Sequence, residues 1–310
     1  MTLATIDVGT NTALLLVARV GAGGALERVD ERAEITRLGR GIGAGGALGR
    51  PGIDATLAAL RTYAAIARQA GARIAAVGTE ALRRAPNGAD FLVPAAEILG
   101  VPLEVIDGQR EAALTFRAVI ESFPETRRGD VVVVDIGGGS TEIVTAHDGT
   151  PTSARSLPMG SVRMTEQHIR QDPPAPAELA ALRDAVAAGL AGVEFAPGAR
   201  LVGVAGTVTS LAAMAESMAT YDPARVHGYR LSRAALDEQI ARLAASRQAE
   251  RERIVGLDPR RADVILAGAV ILEGIAAASG ASDVWVSDRG IRWGLAYELA
   301  NQPAAPGGRA

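Results

Sequence analysis

The 310-residue chain contains no cysteine and no lysine. The first absence excludes disulfides and thiolate metal centres, and it fits a reducing, cytoplasmic setting. The second makes all 32 basic residues arginine, a replacement spread over the whole chain that reads as compositional bias, not as a property of any one site. No stretch approaches the roughly 18 uninterrupted apolar residues of a membrane span, and the start, "MTLATIDVGT", has neither a basic leader nor a long apolar region. A net charge of -3 argues against generic nucleic-acid affinity. Among the three histidines none shows metal-ligand spacing; the adjacent His147 and Asp148 in "AHDGT" read as a turn after a strand, not as a metal-phosphohydrolase centre. What is left, 48% hydrophobic and 22% charged, is an ordinary globular composition, long enough for two domains with cores of their own.

The most informative stretch that is present is "VVVVDIGGGSTEIV", residues 131 to 144. Four consecutive valines without polar alternation read as a strand buried on both faces of a mostly parallel sheet. Three glycines after Asp135 let the backbone turn tightly with its N–H groups bare, which suits an anion such as phosphate. A glycine turn returning into "TEIV" as a hairpin is the plainer reading, and the two are compatible. "IDVGTNTALLLV" (6 to 17) repeats the pattern of "VDIGGGSTEIVT" (134 to 145): an apolar residue, Asp, an apolar residue, Gly, small residues and another apolar run. A repeat at that spacing predicts two similar halves, each with a phosphate-facing hairpin, and a cleft between them.

Between and after these hairpins, strands alternate with helices, which predicts an α/β protein. "IDATLAALRTYAAIARQAG" (53 to 71) reads as a helix capped by Asp54, with Leu57, Leu60, Ala64 and Ala67 at helical spacing. "RIAAVGTEALRRAPNGADFLVPAAEILG" reads as strand, turn, helix, helix, and "VPLEVIDGQREAALTFRAVI" as a strand ending near Asp107 and a helix from about Arg110. "RLVGVAGTVTSLAAMAE" reads as a strand and glycine turn entering a helix. The almost wholly apolar helix 264 to 278 belongs in a core or at a dimer surface. "SDVWVSDRGIRWGLAYELA" closes the fold as strand, turn and helix, and the tail "NQPAAPGGRA" reads as disordered.

In order along the chain, "IDVGTNT", "TEALRRAPNGADFL", "VIDGQREAAL", "VDIGGGSTEI", "LPMGSVRMTE", "GTVTSLAA", "VHGYRLS", "GLDPRRADVILAGAVIL" and "VSDRGIRWGL" resemble the exopolyphosphatase/guanosine pentaphosphate phosphatase (Ppx/GppA) family, in its short two-domain form within the actin, Hsp70 and sugar-kinase superfamily. The resemblance implies two duplicated ribonuclease-H-like domains with an interdomain cleft: residues 1–122, with helix 290–302 packing back on them, and residues 123–289, before a tail at 303–310. It implies hydrolysis of the terminal phosphate of inorganic polyphosphate with Mg²⁺ or Mn²⁺, and a homodimer. Lacking the added C-terminal region of longer relatives, the chain is expected to favour shorter polyphosphates. It assigns Asp7, Asp135 and Glu142 to the metal or its waters, and Glu111, in "DGQREA", to activation of the attacking water. Here Asp107 and Arg110 stand where the family motif "SGxEEA" has Ser and its first Glu. Phosphate contacts fall to Gly9, Thr10, Asn11 and Thr12, to Gly137, Gly138, Gly139, Ser140 and Thr141, to Arg83, and to Gly206 and Thr207, with Arg84 expected in solvent. Ala205 replaces the first glycine of the family's "GGT" turn, so either that residue has a negative φ or the third loop differs.

Other readings stay open at this point. The runner-up is a pppGpp 5'-phosphohydrolase acting on a nucleotide with the same machinery. An ATP-binding kinase or chaperone-like ATPase would share the phosphate loops, and a non-catalytic sensor of polyphosphate or ppGpp-type alarmones would keep the cleft without turnover.

Overall fold

A computed structural model of the chain describes residues 1–42 and 46–302. The first sheet is built from β1 (Thr2–Val8), β2 (Thr12–Val20), β3 (Leu26–Ile35), β4 (Arg73–Gly78) and β5 (Leu103–Val105). The second comprises β6 (Asp130–Ile136), β7 (Thr141–His147), β8 (Thr150–Leu157), β9 (Arg200–Val204), β10 (Arg230–Ser232) and β11 (Asp283–Val286). The helices are α1 (Arg50–Gln69), α2 (Glu80–Arg84), α3 (Ala89–Leu99), α4 (Gly108–Ser122), α5 (Ser161–His168), α6 (Pro176–Gly189), α7 (Ala205–Ala215), α8 (Pro223–Val226), α9 (Arg233–Ala245), α10 (Gln248–Arg251), α11 (Ile265–Ser279) and α12 (Ile291–Ala300).

The strand orders are β3-β2-β1-β4-β5 and β10-β11-β9-β6-β7-β8. Read from the hairpin side, the second order repeats the first, with β10 added at the far edge. In each sheet the central strand pairs antiparallel with the next strand in sequence and parallel with the strand on its other side, β1 with β4 and β6 with β9. The expected duplication is therefore present in hydrogen-bond topology. The four valines form the buried centre of β6, each no more than 1% exposed, because this strand is covered on both faces.

Helix α4 lies between the sheets. Ala112, Phe116 and Val119 pack on Val131, Val133 and Val144 of the second sheet, while Leu114 and Ala118 meet α12 and the first sheet. The last helix returns to the first sheet through Leu295 and Leu299 against Leu3 and Val77. The two helices approach so closely that a Cβ at Gly294 would stand 1.9 Å from the Leu114 carbonyl oxygen. Helix α11 is almost wholly apolar because most of it sits inside the larger core with α7 and α9, and its one charged residue, Glu273, pairs with Arg183 at 2.8 Å.

Several sequence expectations change in detail. Helix α1 begins at Arg50 with Gly49 as its N-cap, so Asp54 lies within the helix and pairs with Arg50 four residues earlier at 3.0 Å. Asp107 caps α4 by accepting from the Arg110 backbone N–H, which starts that helix at Gly108, two residues before Arg110. His147 ends β7, and Asp148 and Gly149 form the β7–β8 turn, with φ of 47° and 75°, the positive pair that a two-residue hairpin needs. The tail 303–310 lies outside the described residues. No helix among the described residues is long and apolar enough to cross a membrane.

Candidate active site

Both glycine loops close in the same way. Gly9 N–H donates to the Thr12 carbonyl at 3.0 Å, and Gly137 N–H donates to the Ser140 carbonyl at 3.0 Å. At each of these glycines an added Cβ would come within 3.1 Å of that carbonyl. The loops are braced from behind: the Thr10 carbonyl accepts from Gly39 N–H, and the Gly138 carbonyl from Val162 and Arg163 N–H. Between them opens a cavity of about 800 Å³. Asp7, the two loops from Gly9 to Thr12 and Gly137 to Ser140, Glu111, Asp135, Glu142, Gly206 and Thr207 all line it.

Two of the predicted phosphate contacts are placed elsewhere. The Thr141 hydroxyl donates to the Met159 carbonyl at 2.5 Å and the residue is fully buried away from the cavity. The Arg83 guanidinium donates to the Glu111 carboxylate and to the Ile106 carbonyl, so it addresses the acid and not the open cleft. Arg84, expected in solvent, pairs with Glu80 at 3.0 Å.

The four acids converge from four elements, β1, β6, β7 and α4. Asp7 and Asp135 stand near the ends of the central strands, Glu142 lies directly opposite Asp135 in the hairpin register, and Glu111 is in the first turn of α4. All four are at most 8% exposed. Burial raises the Asp7 carboxyl to about 7, with the charge of Asp135 adding to it and Arg292 pulling it back. Glu111 is raised to about 8, again mainly by burial, although Arg83 opposes the shift. Burial also raises Asp135, against the Thr115 hydroxyl that donates to it at 2.9 Å. Glu142 is pushed well up by burial and by the charges of Glu111 and Asp135, despite a 2.6 Å bond from the Ser156 hydroxyl. One oxygen of Asp7, Oδ1, is buried without a hydrogen-bond partner among the described residues. The shared cause is burial, and neighbouring carboxylates add to it at Asp7, Glu111 and Glu142.

Three cationic or aromatic groups at this site were missed by the sequence reading. Arg261 lies within the cleft, its guanidinium donating to the Thr12 hydroxyl at 3.5 Å and pressed so close to Gly206 that a Cβ there would collide at 2.2 Å. Among the described residues it has no ion-pair partner, and burial lowers its pKa. Its neighbour Arg260 faces outward to Asp258 and Glu34; the sequence "DPRR" holds no signal for which of the two turns in. Arg292, paired with Glu31, faces Asp7 and Asp135 from the start of α12. Tyr221 stands at the cavity mouth, 49% exposed.

Ala205 resolves the question left by the third loop. Its φ is 70°, so alanine occupies the left-handed conformation of the glycine it replaces. Neither alternative drawn from the sequence holds: the turn is kept, at a strain of about 1 kcal/mol.

The duplicated sheets, with glycine loops and acids facing one another across a cleft, place the protein in the actin and Hsp70 fold class. The sequence profile of the Ppx/GppA phosphatase family matches residues 16–302. Exopolyphosphatase 2 of Mycobacterium tuberculosis is 37% identical over 314 residues, an alignment covering 96% of this chain and 98% of that protein. A solved Ppx/GppA family member from Aquifex aeolicus superimposes with a TM-score of 0.83 at 33% identity, over 98% of this chain and 99% of that one. An exopolyphosphatase-like protein does so with a TM-score of 0.90 at 30% identity, over 97% and 99%. The chain belongs to the Ppx/GppA phosphatase family.

Proposed function

We propose that the protein is a metal-dependent exopolyphosphatase that removes the terminal phosphate of inorganic polyphosphate and releases orthophosphate. The observation that carries this reading is one cavity lined both by Arg261, a buried guanidinium with no ion pair among the described residues, and by four carboxylates held toward protonation. A phosphate chain would satisfy the first, and a divalent cation the second. The cavity of about 800 Å³ supports a preference for shorter chains.

The residues present fit Mg²⁺ or Mn²⁺. Asp7 has a buried oxygen, Oδ1, with no partner among the described residues, and burial outweighs the pull of Arg292 on Asp7 and Asp135. Among the described residues no three acid or imidazole side chains are grouped as a ready ligand set. That suits a cation that keeps several waters and takes further ligands from substrate phosphates. Asp7, Asp135 and Glu142 would hold it or its waters, and when bound it would neutralise charge on the phosphoryl group.

Glu111 would accept the proton of the attacking water, and a carboxyl tuned near neutrality is matched to that task. Arg83 orients it through the ion pair already present. The bare N–H groups of the two loops and the Arg261 guanidinium would bind successive phosphates. In this reading the working units are residues 1–122 with 290–302, and residues 123–289, joined across α4.

A second reading, hydrolysis of the 5'-phosphate of pppGpp, is favoured by one feature, the half-exposed Tyr221 ring at the cavity mouth, which offers a base a stacking surface. The deciding experiment measures orthophosphate release with Mg²⁺ from short polyphosphate, long polyphosphate, pppGpp and ATP side by side. Short polyphosphate should be the best substrate, and Glu111→Gln should lose about 10²- to 10⁴-fold. Faster turnover of ATP or pppGpp would displace the leading reading, and binding without release would leave a sensor.

A further inference from the structure

A further acid, Glu80, lines the cavity, and the proposed chemistry has no use for it. Glu80 opens α2 and is 5% exposed. Its carboxylate accepts from the Arg163 guanidinium on α5, from Arg84 at 3.0 Å, and from the Thr10 hydroxyl of the first loop at 3.3 Å. Arg163 also ties into the second loop, with Nε donating to the Gly139 carbonyl at 2.8 Å. The carboxylate rests on that loop so closely that a Cβ at Gly139 would be 2.0 Å from its Oε2. A carboxylate thus stands on the bare backbone of a glycine loop, flanked by a hydroxyl and a guanidinium, in surroundings that would suit a phosphate oxygen. Glu80 lines the cavity and Arg163 does not.

We infer that Glu80 is a specificity-determining residue: an internal anion that withholds Arg163 from the substrate and so limits how tightly the cleft grips a polyanion. This rests on the reading of the cleft as a polyphosphate site. Binding that is equal in ground and transition states lowers KM without raising kcat, so an extra guanidinium at a non-reacting phosphate would slow departure of the shortened chain and add nothing to the chemistry. Glu80 keeps that cation occupied. A purely structural ion pair between the lobes makes the opposite prediction, because loosening it would weaken binding.

The test is calorimetric titration of tripolyphosphate without divalent metal, so that it does not depend on turnover. The proteins are wild type, Glu80→Gln, Arg163→Gln and the double variant, each checked for an intact thermal transition. Glu80→Gln should bind on the order of tenfold more tightly, with a steeper loss of affinity as salt is raised. Arg163→Gln should bind within about twofold of wild type, and the double variant should lose the gain. If Glu80→Gln unfolds too early, Glu80→Asp draws the charge back from Arg163 and should tighten binding by about 2- to 5-fold. Unchanged or weaker binding by the folded Glu80 variants would overturn the inference, as would a tenfold loss in Arg163→Gln or no binding by any of the proteins. Wild type that binds tripolyphosphate yet releases no phosphate with Mg²⁺ would instead sink the hydrolase reading and leave this one intact.

Discussion

The two glycine hairpins share a backbone and differ in chemistry. Each joins a central strand to its antiparallel neighbour, and each closes with the same 3.0 Å bond from the glycine N–H to a carbonyl three residues on. Across the strand from Asp135 stands Glu142, whereas the position across from Asp7 holds Leu14. Asp135 is steadied by the Thr115 hydroxyl, while Asp7 Oδ1 has no partner among the described residues. Duplication has therefore preserved what backbone geometry supplies, a cradle of N–H donors, on both sides of the cleft. The hairpin acids stand two to one, Asp135 and Glu142 on the second hairpin and Asp7 alone on the first, while Glu111 comes from α4. A divalent ion bound there would be held chiefly by the second lobe.

Glu142→Leu breaks that asymmetry most directly, because it writes the first hairpin's residue into the second. Phosphate release should fall by about 10²- to 10³-fold at saturating Mg²⁺. Loss of less than threefold in steady-state assays would show that the paired acid does not hold the metal. Asp7→Asn should cost less, about tenfold in apparent Mg²⁺ affinity, read from activity against Mg²⁺ concentration.

Stability sharpens the same comparison. The folded chain retains protons on Asp7 and Glu111 up to about 7 and about 8, where an unfolded chain would have released them near the ordinary carboxylate range. The folded state thus binds more protons across that window, so these groups make metal-free stability fall as pH rises toward about 8. Mg²⁺ should raise Tm more at pH 8 than at pH 6, because it replaces the lost protons. Equal Mg²⁺ shifts in thermal melts at the two pH values would contradict the clustered-acid account. The smallest effect is expected from Ala205→Gly, which relieves the left-handed alanine and should stabilise by up to about 1 kcal/mol, less the extra chain entropy of glycine. A lower Tm for that variant would mean that the methyl packs well enough to outweigh its strain.

Much of this architecture was legible because local signals agree with the fold. The valine run, the repeated acidic turn and the alternation of strands with helices each report a periodicity or a backbone demand that neighbouring residues determine. Asp135 and Glu142 could be paired from sequence, since a hairpin places residues at known spacing opposite each other. Asp54 was misread because a plausible cap residue carries no mark of where the helix begins; Pro51 near the first turn was the better signal. The partners of Arg83 and Arg84 were not legible for a related reason. Adjacent arginines in a short helix point in different directions, and only packing decides that one meets Glu111 and the other Glu80.

By itself the sequence determined the two-fold α/β layout, the glycine loops with their acids, and the absence of any thiol chemistry. Tertiary structure alone decided which charges face one another: Arg261 inward and Arg260 outward, Arg163 of one lobe on Glu80 of the other, and Asp7 Oδ1 with no partner among the described residues. Backbone form depends on residues a few positions apart. The state of a buried charge depends on whatever the fold brings within a few ångströms of it, from positions as distant along the chain as Thr12 and Arg261.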